Sequence, residues 1–195
     1  MPKLIRPNQH RGMALQLKKT VVLVGMMGAG KTAVGKALAA KLGVPFLDSD
    51  SELETAANLT IAEIFERYDE AFFRRKETQV IKRLLEASDK AILSTGGGAF
   101  LAPANRKVIS AKGVSVCLQA DLNLLWNRVK HKTTRPLLRT DNPRATLAAL
   151  YETRAPVYAL ADISVEARSE YTIEDMAERV IDALRTRSGV LEESS

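Results

Sequence analysis

A chain of 195 residues, 46% of them hydrophobic, fits one domain with an ordinary buried core, and no Pro/Gly/Ser-rich seam divides it. The formal charge of +6 suits a polyanionic small ligand, a nucleic acid or a membrane surface, and does not choose among them. The lone cysteine, Cys117, excludes an internal disulfide and points to a reducing, cytoplasmic setting, while no apolar run approaches the roughly 20 residues of a membrane span.

Met1–Lys19 is basic and free of acids, contains Pro2 and Pro7, and lacks the apolar centre of a secretory signal. It reads as a loosely ordered arm, with a short organellar transit segment as the alternative. Thr20–Val24 is β-branched, stops at Gly25 and predicts a first, buried strand. A helix follows over Lys31–Leu42, with Val34, Leu38 and Leu42 on one face and Gly43 as its stop. Val44–Leu47 forms a short second strand that leads into Asp48-Ser49-Asp50. Thr60 and Glu63 make a capping box for a helix through Phe65. A longer helix spans about Glu70 to Ala87 and carries Phe73, Val80, Ile81, Leu84 and Leu85.

The third strand is Lys90–Ser94, ended by Gly96-Gly97-Gly98, and Pro103 suits the first turn of a helix reaching Ser110. Val114–Leu118 is the fourth strand, with Cys117 as a small core residue, and Asp121 caps a helix to about Lys130. His131–Pro143 shows no periodicity. Helix resumes over Ala145–Leu160, where Pro156 is expected to kink or break it. Ile163–Val165 is the fifth strand, Thr172 caps a last helix with Met176, Val180, Ile181 and Leu184, and the polar tail is expected to fray. Strands alternating with helices predict an α/β fold: a five-stranded parallel sheet covered on both faces, in three layers. The domain is placed at residues 20–187, between the arm (1–19) and the tail (188–195). The loops after its first three strands should meet in one crevice at the carboxyl edge.

Gly25-Met26-Met27-Gly28-Ala29-Gly30-Lys31-Thr32 fits G-x-x-x-x-G-K-S/T after a strand and at the opening of a helix, which is the context that pattern requires. The glycines let the backbone curl so that N–H groups bind phosphate oxygens, and the positive end of the helix dipole adds to the attraction. Lys31 brings a point charge to the β/γ-phosphates, and the Thr32 hydroxyl can ligate Mg²⁺. Nucleoside triphosphate binding follows, but not a particular reaction.

The other loops narrow the choice. Asp48 and Asp50 place two carboxylates at the mouth of the second strand, as metal-site acids or as an ordinary turn and helix cap. The three glycines permit close approach to a ligand or merely a tight turn. Arg74 and Arg154, taken singly, read as solvated surface charge. Arg128, Lys130, Lys132, Arg135, Arg139 and Arg144 form a basic stretch over about residues 128–144, with Asp141 the only acid. A mobile lid closing on phosphates accounts for it. Nucleic-acid binding competes, weakened by the lack of interleaved aromatics.

Taken together, G-M-M-G-A-G-K-T, D-S-D, F-R-R-K-E, S-T-G-G-G, R-P-L-L and T-R-A-P-V-Y, in this order, resemble the shikimate kinase family from about Thr20 to Ala183. The resemblance implies a sheet ordered 2-3-1-4-5 and ATP-dependent phosphorylation of shikimate to shikimate 3-phosphate, a step of aromatic amino acid biosynthesis. It implies ATP phosphates bound by Gly28, Ala29, Gly30, Lys31, Thr32 and Ala33, and Mg²⁺ supported by Thr32 and, through water, by Asp48. By the same resemblance Asp50 contacts the substrate hydroxyls and accepts a proton, and Arg74 and Arg154 hold the carboxylate. Gly96, Gly97 and Gly98 lie against the ring. Arg135 reaches from the lid to the transferred group, and Arg128 lies near the adenine. A monomer without nucleic-acid or membrane partners is expected. Another small-metabolite kinase, such as one for gluconate, is the nearest rival. One departure from the family pattern stands out: Asp69-Glu70 replaces a common Gly-Glu ahead of Phe73-Arg74, which bears on how Arg74's helix begins.

Overall fold

A computed structural model describes residues 15–87, 89–132 and 135–193. The chain enters through β1 (Leu15–Leu17) and β2 (Thr20–Val24), and all five residues of β2 are buried. A strand buried throughout needs cover on both faces, which helices supply. In α1 (Lys31–Leu42), Val34, Leu38, Ala39 and Leu42 turn inward. Gly43, at a left-handed φ of 63°, ends that helix by letting its N–H bond the Ala40 carbonyl at 3.4 Å and that of Val44 bond Ala39 at 3.1 Å.

Then come β3 (Phe46–Asp48), α2 (Ser49–Ala57), α3 (Ile61–Arg67), α4 (Glu70–Glu86) and β4 (Ile92–Ser94). A 3₁₀ turn (Ala99–Leu101) leads into α5 (Pro103–Lys112), β5 (Gly113–Gln119) and α6 (Leu122–Val129). The chain closes with a second 3₁₀ turn (Pro136–Leu138), α7 (Pro143–Tyr158), β6 (Ile163–Glu166), α8 (Ile173–Arg185) and β7 (Leu191–Glu193).

The main sheet is parallel, with strands in the order β3-β4-β2-β5-β6. Leaving β1 aside, this is the expected 2-3-1-4-5. Its register sets the site: Leu23 lies opposite Ser94 and Val116, and Asp48 lies opposite Ser94. The loops after β2, β3 and β4 therefore leave the same edge side by side, where the chain crosses from one flank of β2 to the other. Cys117 is buried in β5, and burial pushes its thiol up to about 11, as suits a core residue.

Three local expectations change. Asp48 ends its strand and at once caps α2, its Oδ1 accepting from the N–H of Asp50 at 3.0 Å and of Ser51 at 3.1 Å, so the helix cap weighed for these acids is present and opens a nine-residue helix that the strand-by-strand reading does not include. α7 is not broken at Pro156 but continues through it to Tyr158, ending two residues later; the proline removes the donor that the Glu152 carbonyl would have had. Leu15–Leu17 and Leu191–Glu193, read as parts of a loose arm and a frayed tail, pair as an antiparallel ribbon. The apolar Leu17 and Val190 are buried there, and Lys18 N–H bonds the Val190 carbonyl at 2.8 Å. The rest of the arm, residues 1–14, lies outside the described residues, as do 133 and 134 in the lid and 194 and 195 in the tail.

Candidate active site

The phosphate loop begins where β2 stops. Gly25, Gly28 and Gly30 all hold left-handed φ values, 139°, 82° and 95°. A β-carbon at Gly25 would also lie 2.9 Å from the Leu118 carbonyl oxygen, so nothing larger fits. No side chain caps α1, and the first helical amide with a partner is Val34, bonded to Gly30 O at 2.9 Å. The amides of Lys31, Thr32 and Ala33 are thus donors without an intrahelical acceptor at the positive end of a helix. Ala29 N–H instead turns back on Met26 O at 3.1 Å.

Cations brace the loop from two sides. Lys31 Nζ donates to Gly25 O at 2.7 Å and Met26 O at 3.1 Å. Arg128 Nη1 donates to Gly28 O at 3.1 Å and Ala29 O at 3.3 Å. Burial, with the positive charge of Arg135 adding to it, brings the Lys31 ammonium down to about 8. Arg135 is thereby placed near the loop, at the head of the 3₁₀ turn whose Leu138 is buried in the core. Its buried Nε has no hydrogen-bond partner among the described residues. Two other basic residues of this stretch bind the surface of α6: Lys130 donates to Asn127 at 3.1 Å and Arg144 to Asn123 at 3.0 Å.

The second glycine run does something different. A β-carbon at Gly96 would lie 2.8 Å from Asp50 Oδ1, and one at Gly98 would lie 2.8 Å from Arg74 Nη2. At Gly97 the nearest atom would be Arg154 Nη1, at 3.6 Å. Three consecutive residues thus face one side chain each from α2, α7 and α4. Asp50, Arg74 and Arg154, distant in sequence, meet on one turn, as expected.

Asp50 is half-buried and surrounded by acids. Burial raises its carboxyl to about 6, and the negative charges of Asp48, Glu77 and Glu54 add to the rise, while Lys31 opposes it. Arg74 donates to Glu77 Oε2 at 3.0 Å and Glu70 Oε1 at 3.4 Å. The Asp69 that departs from the family pattern caps α4, accepting from Phe72 N–H at 2.7 Å, so Arg74's helix starts cleanly. Arg154 has no ion pair among the described residues.

Sequence reasoning missed four residues here. Ser49 accepts the Gly96 N–H at 3.3 Å, and the Tyr158 hydroxyl donates to the Gly97 carbonyl. Glu77, 2% exposed, holds Arg74, and the fully buried Asn105 donates to Ala99 O at 2.8 Å and Glu77 Oε2 at 3.4 Å. Glu77 alone left a signal, since it falls on the apolar stripe of α4 with Phe73, Val80 and Leu84. A cavity of about 720 Å³ opens further along the same edge, between Gln119, Asn123, Asn127, Arg168 and Glu170.

A phosphate-binding loop opening a helix at the point where strand order reverses, beside a carboxylate and two arginines, defines a P-loop kinase of small-molecule type. The family model for shikimate kinase matches residues 27–185. Shikimate kinase from Ruegeria pomeroyi is 66% identical over 181 residues, 93% of this chain and 92% of that one. The enzyme from Cereibacter sphaeroides is 65% identical over 182 residues, 93% and 90% of the two chains. Among solved structures, shikimate kinase from Acinetobacter baumannii, in complex with shikimate, superposes with a TM-score of 0.79 at 37% identity, covering 86% of this chain and 93% of that one. The chain belongs to the shikimate kinase family, and its activity is ATP-dependent phosphorylation of shikimate.

Proposed function

We propose that the phosphate loop holds ATP while the glycine turn presents shikimate to it, with roles divided among residues as follows. The amides of Gly28, Gly30, Lys31, Thr32 and Ala33 and the Lys31 ammonium bind the phosphates, with Ala29 completing the curve of the loop. Arg128 braces the loop on the side toward the base. The guanidinium forks of Arg74 and Arg154 pair with the substrate carboxylate, which suits arginine better than lysine because each fork offers parallel donors. Gly96, Gly97 and Gly98 pack against the ring.

Asp50 contacts the attacking hydroxyl. Above about pH 6 it is a carboxylate and takes up the proton as the new O–P bond forms and the bond from the γ-phosphorus to ADP breaks. Lys31 and Arg135 stabilise the negative charge that spreads over the transferred group, and the buried Nε of Arg135 supplies a donor for it. Mg²⁺ fits the oxygen donors present, the exposed Thr32 hydroxyl and the Asp48 carboxylate, of which only Oδ1 is engaged by the cap. When bound it neutralises phosphate charge, and it keeps several waters, so two protein groups suffice. Consistent with that mode, no three His, Cys, Asp or Glu side chains among the described residues are grouped to hold a metal alone. One chain supplies every group named, which supports a monomer. No helix among the described residues is long and apolar enough to cross a membrane, which is compatible with a cytoplasmic enzyme.

The observation that carries this reading is the meeting of Asp50, Arg154 and Arg74 on three successive glycines. Shikimate-dependent ADP release with Mg²⁺, compared between the wild type and Arg74→Ala, tests it. The shikimate KM should rise at least about tenfold while the ATP KM stays within about twofold, the scale of a lost charged hydrogen bond. Equal losses for the two substrates would remove the carboxylate clamp.

A further inference from the structure

A glycine turn has no side chains with which to fix its own course, yet it must hold still if three side chains are to be registered on it. Two of the helices that bring those side chains, α2 and α7, are tied directly to the backbone of the turn, and α4 is tied to it through Asn105 of α5. Ser49, next to Asp50 at the start of α2, is 2% exposed and accepts the Gly96 N–H at 3.3 Å. Tyr158, one helical turn beyond Arg154 on α7, is 3% exposed and donates to the Gly97 carbonyl, with the Arg154 guanidinium beside the same hydroxyl.

Asn105 makes the third tie. Its Nδ2 reaches Ala99 O at 2.8 Å and Glu77 Oε2 at 3.4 Å, and its Oδ1 accepts from Thr78 Oγ1 at 2.6 Å. Glu77 and Thr78 lie on α4 with Arg74, and Glu77 grips the Arg74 guanidinium at 3.0 Å. The partners are backbone groups and a buried carboxylate, so truncating any of these side chains leaves a polar group unpaired and costs some stability as well. What a satisfied polar contact adds is a unique geometry.

The geometry points to Ser49, Tyr158 and Asn105 as positioning residues that register Asp50, Arg154 and Arg74 against one another through the backbone of residues 96–99. This rests on the assignment of those three side chains to the shikimate site. None of the positioning residues needs to touch substrate. Their effect is carried by displacement, and a shift of about 1 Å at a reacting centre is costly in rate.

Tyr158→Phe removes one hydroxyl without opening a cavity. Its shikimate KM should rise about fivefold, the scale of one hydrogen bond, with the ATP KM near wild type and a melting temperature lowered modestly by the unpaired Gly97 carbonyl. If Tyr158 acts through Arg154, adding Tyr158→Phe to Arg154→Ala should change kcat/KM for shikimate by less than about twofold, a non-additivity that a double-mutant cycle reads directly. Asn105→Leu should show the same dependence on Arg74, and Ser49→Ala on Asp50. An unchanged shikimate KM in Tyr158→Phe, losses shared equally with ATP, or full additivity in the cycle would overturn the positioning role while leaving the site itself intact. Should Arg154→Ala alone leave the shikimate KM unchanged, the site assignment falls and the positioning role with it.

Discussion

Two glycine-rich loops leave the same edge of the sheet and use glycine for opposite reasons. In the phosphate loop the backbone itself is the instrument, and Gly25, Gly28 and Gly30 occupy φ values that side-chain-bearing residues avoid. In the glycine turn none of Gly96, Gly97 and Gly98 has a positive φ, and what matters is the absent side chain. That absence lets Asp50 and Arg74 stand within 2.8 Å of where β-carbons would be. The first loop makes its own binding groups from N–H donors. The second borrows them from three helices.

This contrast can be broken at several points. Lys31→Ala should cause the largest loss, at least about 10³-fold in kcat with the fold retained, because it removes preorganised charge from the phosphate loop. Circular dichroism alongside steady-state kinetics separates that result from unfolding, and activity near wild type would dissolve the phosphate-loop assignment. Asp50→Asn on the other loop should lower kcat by roughly 10²-fold, the usual scale for an acid–base group. With Asp50 near 6 and Lys31 near 8, kcat/KM should rise as pH passes 6 and decline above 8, and Asp50→Asn should lose the acidic limb only.

A pair of alanine substitutions sharpens the comparison further. Gly25→Ala sets a methyl against a fixed carbonyl at a strained φ, so it should lower stability by about 1 to 3 kcal/mol in a denaturant titration. Gly98→Ala meets only the far end of the flexible Arg74, so stability should hardly change while shikimate binding suffers. A separate effect is on stability against pH. A carboxyl whose folded pKa is raised favours the native state when protonated, and that contribution is lost as pH climbs from about 4 through 6. Asp50→Asn avoids the loss. Its melting temperature should exceed wild type at pH 7 and match it near pH 4.

The phosphate loop was legible because its pattern is contiguous and its context, strand before and helix after, can be read from the same stretch. Sheet order and the partnership of Asp50, Arg74 and Arg154 came from several short motifs seen together. Composition alone left each of those arginines as surface charge. Ser49, Asn105 and Tyr158 stayed hidden since a buried, satisfied polar residue has no periodic mark of its own. Asp48 serves as strand end and cap at once, so the sequence offered a helix cap there without the extent of α2. The ribbon of β1 and β7 joins Leu15 to Glu193, and pairing between opposite ends of a chain leaves no local trace.

The most direct test is calorimetric titration of shikimate and of ATP into Gly98→Ala, where one added methyl displaces the Arg74 fork. The expected result is shikimate affinity reduced at least about tenfold, with ATP affinity and melting temperature preserved, since loss of a charged hydrogen bond is of that size. Unchanged shikimate affinity, or a matching loss for ATP, would contradict the claim that the glycine turn gathers the substrate site.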